Sequence, residues 1–438
     1  MDVSQGRIKM NYEQCVEYIL NIPKFNKIKS NEKCCKILKE LGNPQEKFKV
    51  FHVAGTNGKG STCAFLNSIL LAAEKRTGLF TSPHLVKINE RIKINGEDIS
   101  DSQFLMSFLK VQKVVEDLYK GEYIPTFFEY LFLISVVAFE ENNIEYVVFE
   151  TGMGGRLDAT NIIEKPVASI ITTVSMDHME ILGDTLEKIA CEKAGIIKKD
   201  VPVYYFGDNA IVKSVIENKA REAGAVSKAV MTKDITIFGK KNKVIDFSIS
   251  SMYDKYGVLS VPFVTEYQTV NAALAVTALL GEASLKLTEK QLKQGLMATI
   301  WPGRMEEVRK DIYLDGAHNR EGIEQFVKYV NEISKRHSVY ILFSVVKEKE
   351  YYLMMDLISE IKNCRGYLVA PVKSARAVVA DDMADYLKKN VAAPVYKFED
   401  LTEAINYALS LKAGEDVLFC TGSLYMVGEI KQALNNRI

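Results

Sequence analysis

Residues 53–62 read Val-Ala-Gly-Thr-Asn-Gly-Lys-Gly-Ser-Thr, after the β-forming run FKVFHVA and before CAFLNSILLAA, where Phe65, Leu66, Ile69, Leu70 and Ala73 recur at helical spacing. A strand, a glycine-rich loop and a helix in that order open an α/β unit. Three glycines and a lysine let successive backbone N–H groups converge on an anion at the helix N-terminus, so Gly55, Thr56, Asn57, Gly58, Lys59, Gly60, Ser61 and Thr62 read as a phosphate cradle. Lys59 would neutralise β/γ-phosphate charge, and the hydroxyl of Ser61 or Thr62 would reach a Mg²⁺ ion on the same phosphates. The spacing is G-x-x-G-K-G-S rather than the usual G-x-x-x-x-G-K-[ST]. The plainer alternative is a tight glycine turn capped by Ser or Thr.

The α/β pattern continues. Two short amphipathic helices surround the loop IPKFNKIKSN within residues 12–40, and helical stretches near Asp101–Leu118 and Phe127–Glu140 lead to the strands EYVVFE and VASIITTV. A further helix begins near Thr185 and carries Leu186, Ile189, Ala190 and Lys193. Strands alternating with helices predict a P-loop-type, mostly parallel sheet with helices on both faces. Between 230 and 262, DITIFG, KVIDFSI and YGVLSV predict a small antiparallel addition at a sheet edge, and helical patterns resume over 269–299. The pattern breaks at Trp301-Pro302-Gly303, after which DIYLDG, VYILFS, GYLVA, PVYKF and DVLFC alternate with helical stretches, a smaller Rossmann-like α/β domain. The expected division is 1–300, a hinge over 301–310, and 311–438.

Composition narrows the partners. Of 438 residues, 47% are hydrophobic and 26% charged, which excludes a disordered chain, and Lys plus Arg equals Asp plus Glu at 56 each, so no global field draws nucleic acid or a membrane. Seven cysteines without a C-x-x-C pair argue against a disulfide framework and a zinc ribbon. The start MDVSQGRIKMNYEQ has no apolar signal core, and the greasiest stretch, Phe127 to Phe139, is short and contains Glu129. A cytoplasmic, soluble protein with small-molecule ligands is expected.

Other segments carry chemistry. Glu150 ends an apolar strand and runs into TGMGGRLDATN, at the sheet edge where α/β proteins bind ligands; it reads as a Mg²⁺ ligand or water-positioning carboxylate, or else as a helix cap. The glycines allow close backbone approach to a second substrate. His84, His178 and His318 each follow an expected strand in a polar loop, whereas His337 reads as solvated surface. Lys193, on a helix among apolar neighbours, reads equally well as a snorkelling lysine.

Taken together, VAGTNGKGST, TSPHL, FETGMGGRLDATN, DHMEILGDTLEKIACEKAGIIK, WPGRMEEV, DGAHN and TGSLY resemble, in order and spacing, the folylpolyglutamate synthase/dihydrofolate synthase family of the Mur ligase superfamily. The resemblance implies an ATP-binding domain of the Mur central type, a carboxy-terminal glutamate ligase domain, and ATP-driven joining of L-glutamate to a folate carboxylate through an acyl phosphate. It places the triphosphate on Gly58 to Thr62, one Mg²⁺ on Ser82 and Glu150, and a second on His178. It makes Lys193 a lysine that many members carry as a carbamate, which turns a cation into an oxygen ligand. Asn271, Arg304 and Asp315 match nucleotide contacts bridging the two domains, with closure about Pro302-Gly303. His318 and Ser423 match the glutamate side, His318 also among the catalytic residues beside Lys59 and Lys193. Asp158 and Ala159, with His84, match the folate side, in the version found in members that also accept dihydropteroate; Asp158 reads equally as a turn residue. Members are commonly monomers.

Two other readings compete. A Mur-type ligase of cell-wall precursors would share the phosphate loop and metal carboxylate but carries a further amino-terminal domain, for which a loop starting near residue 54 leaves no room. A P-loop ATPase working as a switch or motor would leave DGAHN and TGSLY without a role.

Overall fold

The phosphate-loop strand lies in the middle of its sheet. In the computed structural model, which describes residues 10–22, 31–347 and 351–435, the strands β1 (Lys49–Ala54), β2 (Thr77–Phe80), β3 (Ile92–Ile94), β4 (Glu97–Asp98), β5 (Tyr146–Glu150), β6 (Ala168–Ile171), β7 (Val203–Phe206) and β8 (Ser227–Val230) form one sheet in the order β4-β3-β2-β5-β1-β6-β7-β8. Six strands run parallel, and β3 and β4 add an antiparallel edge. Strands later in the chain than β1 spread to both sides of it, so its carboxyl end is a topological switch point, where open α/β sheets bind ligands.

The helices cover this sheet for reasons visible in their residues. Tyr12–Leu20 and Glu32–Glu40 flank the predicted loop, of which residues 23–30 lie outside the described residues. Helix Phe127–Glu141 buries Tyr130 through Phe139, and the rings of Phe80, Phe132, Phe139 and Phe149 pack edge-on or tilted, with centroids 5.3 to 6.3 Å apart. Its charged residue has a local purpose: Glu129 accepts from the Thr126 N–H at 2.6 Å in a capping box. Among the described residues no helix is long and apolar enough to cross a membrane.

Segments β9 (Ile235–Lys241), β10 (Val244–Ile249) and β11 (Leu259–Val261) form a sheet of their own, ordered β11-β10-β9, rather than extending an edge of the larger one. The alternating pattern identified strands but carried no information about which sheet they join.

A second sheet contains β12 (Glu306–Arg309), β13 (Ile312–Leu314), β14 (Val339–Phe343), β15 (Cys364–Val369), β16 (Val395–Lys397) and β17 (Val417–Thr421), in the order β12-β13-β17-β14-β15-β16. All pairs are parallel except β12 with β13. The predicted 301–310 hinge therefore contains a strand: the polar run EEVR reads as linker because an edge strand need not bury either face. The chain forms two compact units, one comprising residues up to Gly239, Asp246–Pro262 and Thr269–Thr299, the other Lys240–Ile245, Phe263–Gln268 and everything from Ile300 onward. Two short segments before residue 300 thus belong to the second unit.

Candidate active site

The phosphate loop is held by backbone geometry that few residues tolerate. A Cβ on Gly55, at φ +154°, would lie 1.8 Å from Thr172 Oγ1; one on Gly58, at φ +83°, would lie 2.4 Å from Asn271 Oδ1. Thr172 Oγ1 donates to the Asn57 carbonyl at 2.7 Å, and the Thr56 N–H donates to the Thr173 carbonyl at 2.7 Å, tying the loop to the segment after β6. Gly58 then caps helix Lys59–Ala72, whose first N–H groups have no partner within the helix and face the loop. Asn271 is brought directly onto this loop.

Two lysines converge there. Lys59 Nζ donates to the carbonyls of Gly55 (3.1 Å) and Thr56 (3.0 Å), and Lys193 Nζ donates to the same Gly55 carbonyl at 2.8 Å. Lys193 is 3% exposed, so it is not the snorkelling lysine of the alternative reading. Burial, reinforced by the Lys59 charge, pushes its ammonium down to about 7.

The turn after β5 fixes Lys193 from behind. A Cβ on Gly155 would lie 2.8 Å from the Glu192 carbonyl oxygen and 2.9 Å from that of Lys193, while one on Gly195 would lie 2.4 Å from Arg156 Cβ. Arg156 donates through its backbone N–H to the Glu192 carbonyl at 2.8 Å and through its guanidinium to the Glu192 carboxylate at 2.9 Å. Asp158 holds the turn itself: Oδ2 accepts from the N–H groups of Gly152 (2.9 Å) and Met153 (3.1 Å), and Oδ1 from Thr160 N–H (3.0 Å) and hydroxyl (2.6 Å). Burial raises its pKa against those hydrogen bonds. The geometry thus gives the Asp158 carboxylate the turn role, with Ala159 buried beside it.

Glu150, 3% exposed, accepts from the Ser82 N–H at 2.9 Å, so these two predicted metal residues meet. His84 Nδ1 accepts from Arg91 Nε at 2.8 Å, which puts the imidazole proton on Nε2. His178 begins the short helix Met179–Leu182 in a left-handed conformation, its side chain 45% exposed. Among the described residues no three His, Cys, Asp or Glu side chains gather as a closed metal cage. Mg²⁺ does not need one, since it takes one or two protein oxygens and completes its shell with water and phosphate. The residues present fit such an ion: a hard carboxylate at Glu150, and a Thr62 hydroxyl that is buried without a protein partner.

In the second unit, Asp315 accepts from the N–H groups of Met305 and Ala317, both at 2.8 Å, and Arg304 lowers its burial-raised pKa. His318 Nδ1–H donates to the Gly316 carbonyl at 2.9 Å, leaving Nε2 as the ring's acceptor. The Gly422 N–H donates to the Ala317 carbonyl at 3.1 Å, which places Ser423 beside the His318 loop; its Oγ accepts from the Tyr425 N–H at 3.2 Å. Sequence reasoning missed Arg91, whose partner His84 is only seven residues away and whose charge directly before β3 was a local signal, and Thr172 and His52, whose partners lie 115 and 108 residues along the chain.

Comparison with known proteins finds relatives over nearly the whole chain. Residues 53–279 match the Mur ligase middle domain and residues 303–424 the Mur ligase glutamate ligase domain. A dihydrofolate synthase/folylpolyglutamate synthase of Bacillus subtilis is 34% identical over 91% of this chain and 93% of its own length. The chain belongs to that family. Like its relatives, this synthase is an acid–amino-acid ligase. A Lacticaseibacillus casei folylpolyglutamate synthase is 30% identical over 97% of this synthase and 99% of itself. The Mycobacterium tuberculosis folylpolyglutamate synthase complexed with ADP superposes with a TM-score of 0.87 at 26% identity, covering 96% of this synthase and 97% of that structure. Escherichia coli FolC in complex with DHPP and ADP gives 0.85 at 27% identity, over 98% and 99%.

Proposed function

We propose that this ligase joins the amino group of L-glutamate to a folate carboxylate, accepting both dihydropteroate and tetrahydrofolates, with ATP cleaved to ADP and phosphate. The observation that carries the reading is the convergence of Lys59 and Lys193 on the Gly55 carbonyl at the start of helix Lys59–Ala72, beside the glycine turn. Relatives named for both activities support the pair of acceptors.

A carboxylate is a poor acyl donor at neutral pH, so it first takes the γ-phosphoryl group and becomes an acyl phosphate. The cradle amides and Lys59 hold the triphosphate and match the charge that develops on it. Asn271, Arg304 and Asp315 are assigned to the nucleotide, Asp315 acting by shaping the loop that presents Arg304. Mg²⁺ would be held by Ser82 and Glu150, with His178 toward a second ion, and supplies charge neutralisation on the phosphates. Lys193 serves as a carbamate, formed when its neutral amine attacks CO₂ and releases a proton. On the glutamate side, Ser423 orients the amino acid and His318 Nε2 takes the proton its ammonium must lose before attack; phosphate then leaves. His84 and the Asp158–Ala159 turn face the folate. Seven free cysteines support a reducing compartment, the cytoplasm, and the monomer is assigned from the family resemblance alone.

Mass spectrometry of products tests this, with ATP, Mg²⁺, glutamate and either dihydropteroate or tetrahydrofolate. One added glutamyl group on each acceptor is expected. Product from tetrahydrofolate alone removes the dihydropteroate activity, and ATP hydrolysis indifferent to both acceptors would leave a P-loop ATPase.

A further inference from the structure

His52 has no part in the reaction described, yet of the five histidines it is the one that is 0% exposed. It lies on β1, three residues before Gly55, where any apolar side chain would satisfy the core. Instead the fold accepts a desolvated ring whose Nδ1 is buried without a partner, and burial keeps that ring neutral. What the imidazole provides is a contact at Nε2, 2.7 Å from Thr160 Oγ1. The Thr160 hydroxyl spends its single proton on Asp158 Oδ1, 2.6 Å away, so toward His52 it accepts and the imidazole donates. Asp158 in turn takes the N–H groups of Gly152 and Met153 on its other oxygen. An unbroken series of hydrogen bonds therefore runs from the strand beneath the phosphate loop to the glycine turn.

We propose that His52 is a positioning residue for the pterin-bearing acceptor: through Thr160 it sets the orientation of Asp158, and through Asp158 the shape of the turn against which that acceptor rests. This rests on reading the turn as the acceptor side. The phosphate loop has its own supports at Thr172, Thr173 and Asn271, so loss of the His52 link acts on the acceptor and spares the nucleotide.

The test is steady-state kinetics with dihydropteroate, ATP and glutamate each varied, for Thr160→Val, Thr160→Ser, His52→Leu and His52→Gln. Thr160→Val keeps the side-chain volume and removes only the hydroxyl, so it reports even where His52→Leu does not fold. Expected is a rise of about tenfold in KM for dihydropteroate in His52→Leu, the effect of one buried hydrogen bond, and at least as large a rise in Thr160→Val, which loses the hydroxyl's bonds to both His52 and Asp158, with KM for ATP within about twofold. Thr160→Ser and His52→Gln, which keep a hydroxyl and an N–H at the same reach, should recover most of it. Equal rises in both KM values, or an unchanged KM for dihydropteroate in Thr160→Val, would overturn the proposal. An active wild type with such variants sinks this inference alone; a wild type that makes no glutamyl product sinks the functional reading and the inference with it.

Discussion

Lys193 allows a quantitative forecast. Its amine sits at about 7 where an ordinary lysine sits near 10.4, so at pH 7 about half is neutral instead of roughly 0.04%, a gain on the order of 10³ in the species that attacks CO₂. The product also suits its surroundings: Lys59 repels an ammonium at this position and attracts a carbamate. The perturbation is Lys193→Arg, which keeps the cation and abolishes the nucleophile. With ¹³C-labelled bicarbonate, wild-type protein should show a carbamate carbon resonance absent from Lys193→Arg and growing from pH 6 to pH 8 as the amine loses its proton. Activity should fall in CO₂-depleted buffer, and Lys193→Ala should regain part of its loss with acetate. No protein-bound label at pH 8 beyond the Lys193→Arg background would refute the reasoning. The unmodified amine also has a stability signature. Between about 7 and 10.5 the unfolded chain holds a proton that the folded chain has released, so stability of CO₂-free protein rises with pH across that window. The slope approaches about 1.4 kcal/mol per pH unit, and Lys193→Met should flatten it in urea titrations.

Other substitutions report on separate parts of the site. Lys59→Ala removes charge-matched phosphate stabilisation, about 3 kcal/mol or more, and should lower kcat at least a hundredfold in a coupled ADP assay. Gly58→Ala combines a left-handed φ with a Cβ 2.4 Å from Asn271 Oδ1, so calorimetric ATP affinity should drop by tenfold or more while the protein still folds. Glu150→Gln keeps an acceptor for the Ser82 N–H but loses the charge, and should raise the Mg²⁺ concentration needed for half-maximal rate by at least tenfold. Chelation of divalent ions should abolish turnover in all forms.

What could be read from the chain, and what could not, follows the range of each interaction. The cradle was legible because a period-two run, three glycines and a 3.6-residue pattern are all local. Glu150 was legible for a similar reason, as a carboxylate closing an apolar strand. For Asp158 the ligand and turn readings stood equal, and for Asp315 only the ligand reading was made; a carboxylate in a polar loop looks like a ligand until the backbone N–H groups that surround it are placed. His52 was hidden inside FKVFHVA, where a single polar residue in a buried strand differs little from core, and its partner lies 108 residues away. β12 was hidden by its own polarity, and β9 to β11 were recognisable as strands although their assignment to a separate sheet depends on long-range pairing.

At the back of the site Gly155 lies against the Glu192 and Lys193 carbonyl oxygens and Ile196 Cγ2, and Gly195 against the backbone and Cβ of Arg156, with no room for a Cβ at either glycine. A re-engineering campaign aimed at new pterin-like acceptors therefore inherits a rigid seam. Bulk introduced at either glycine would push on the backbone joining the turn to the helix that carries Lys193, whereas Leu157, 39% exposed on the same turn, is where variation can be absorbed.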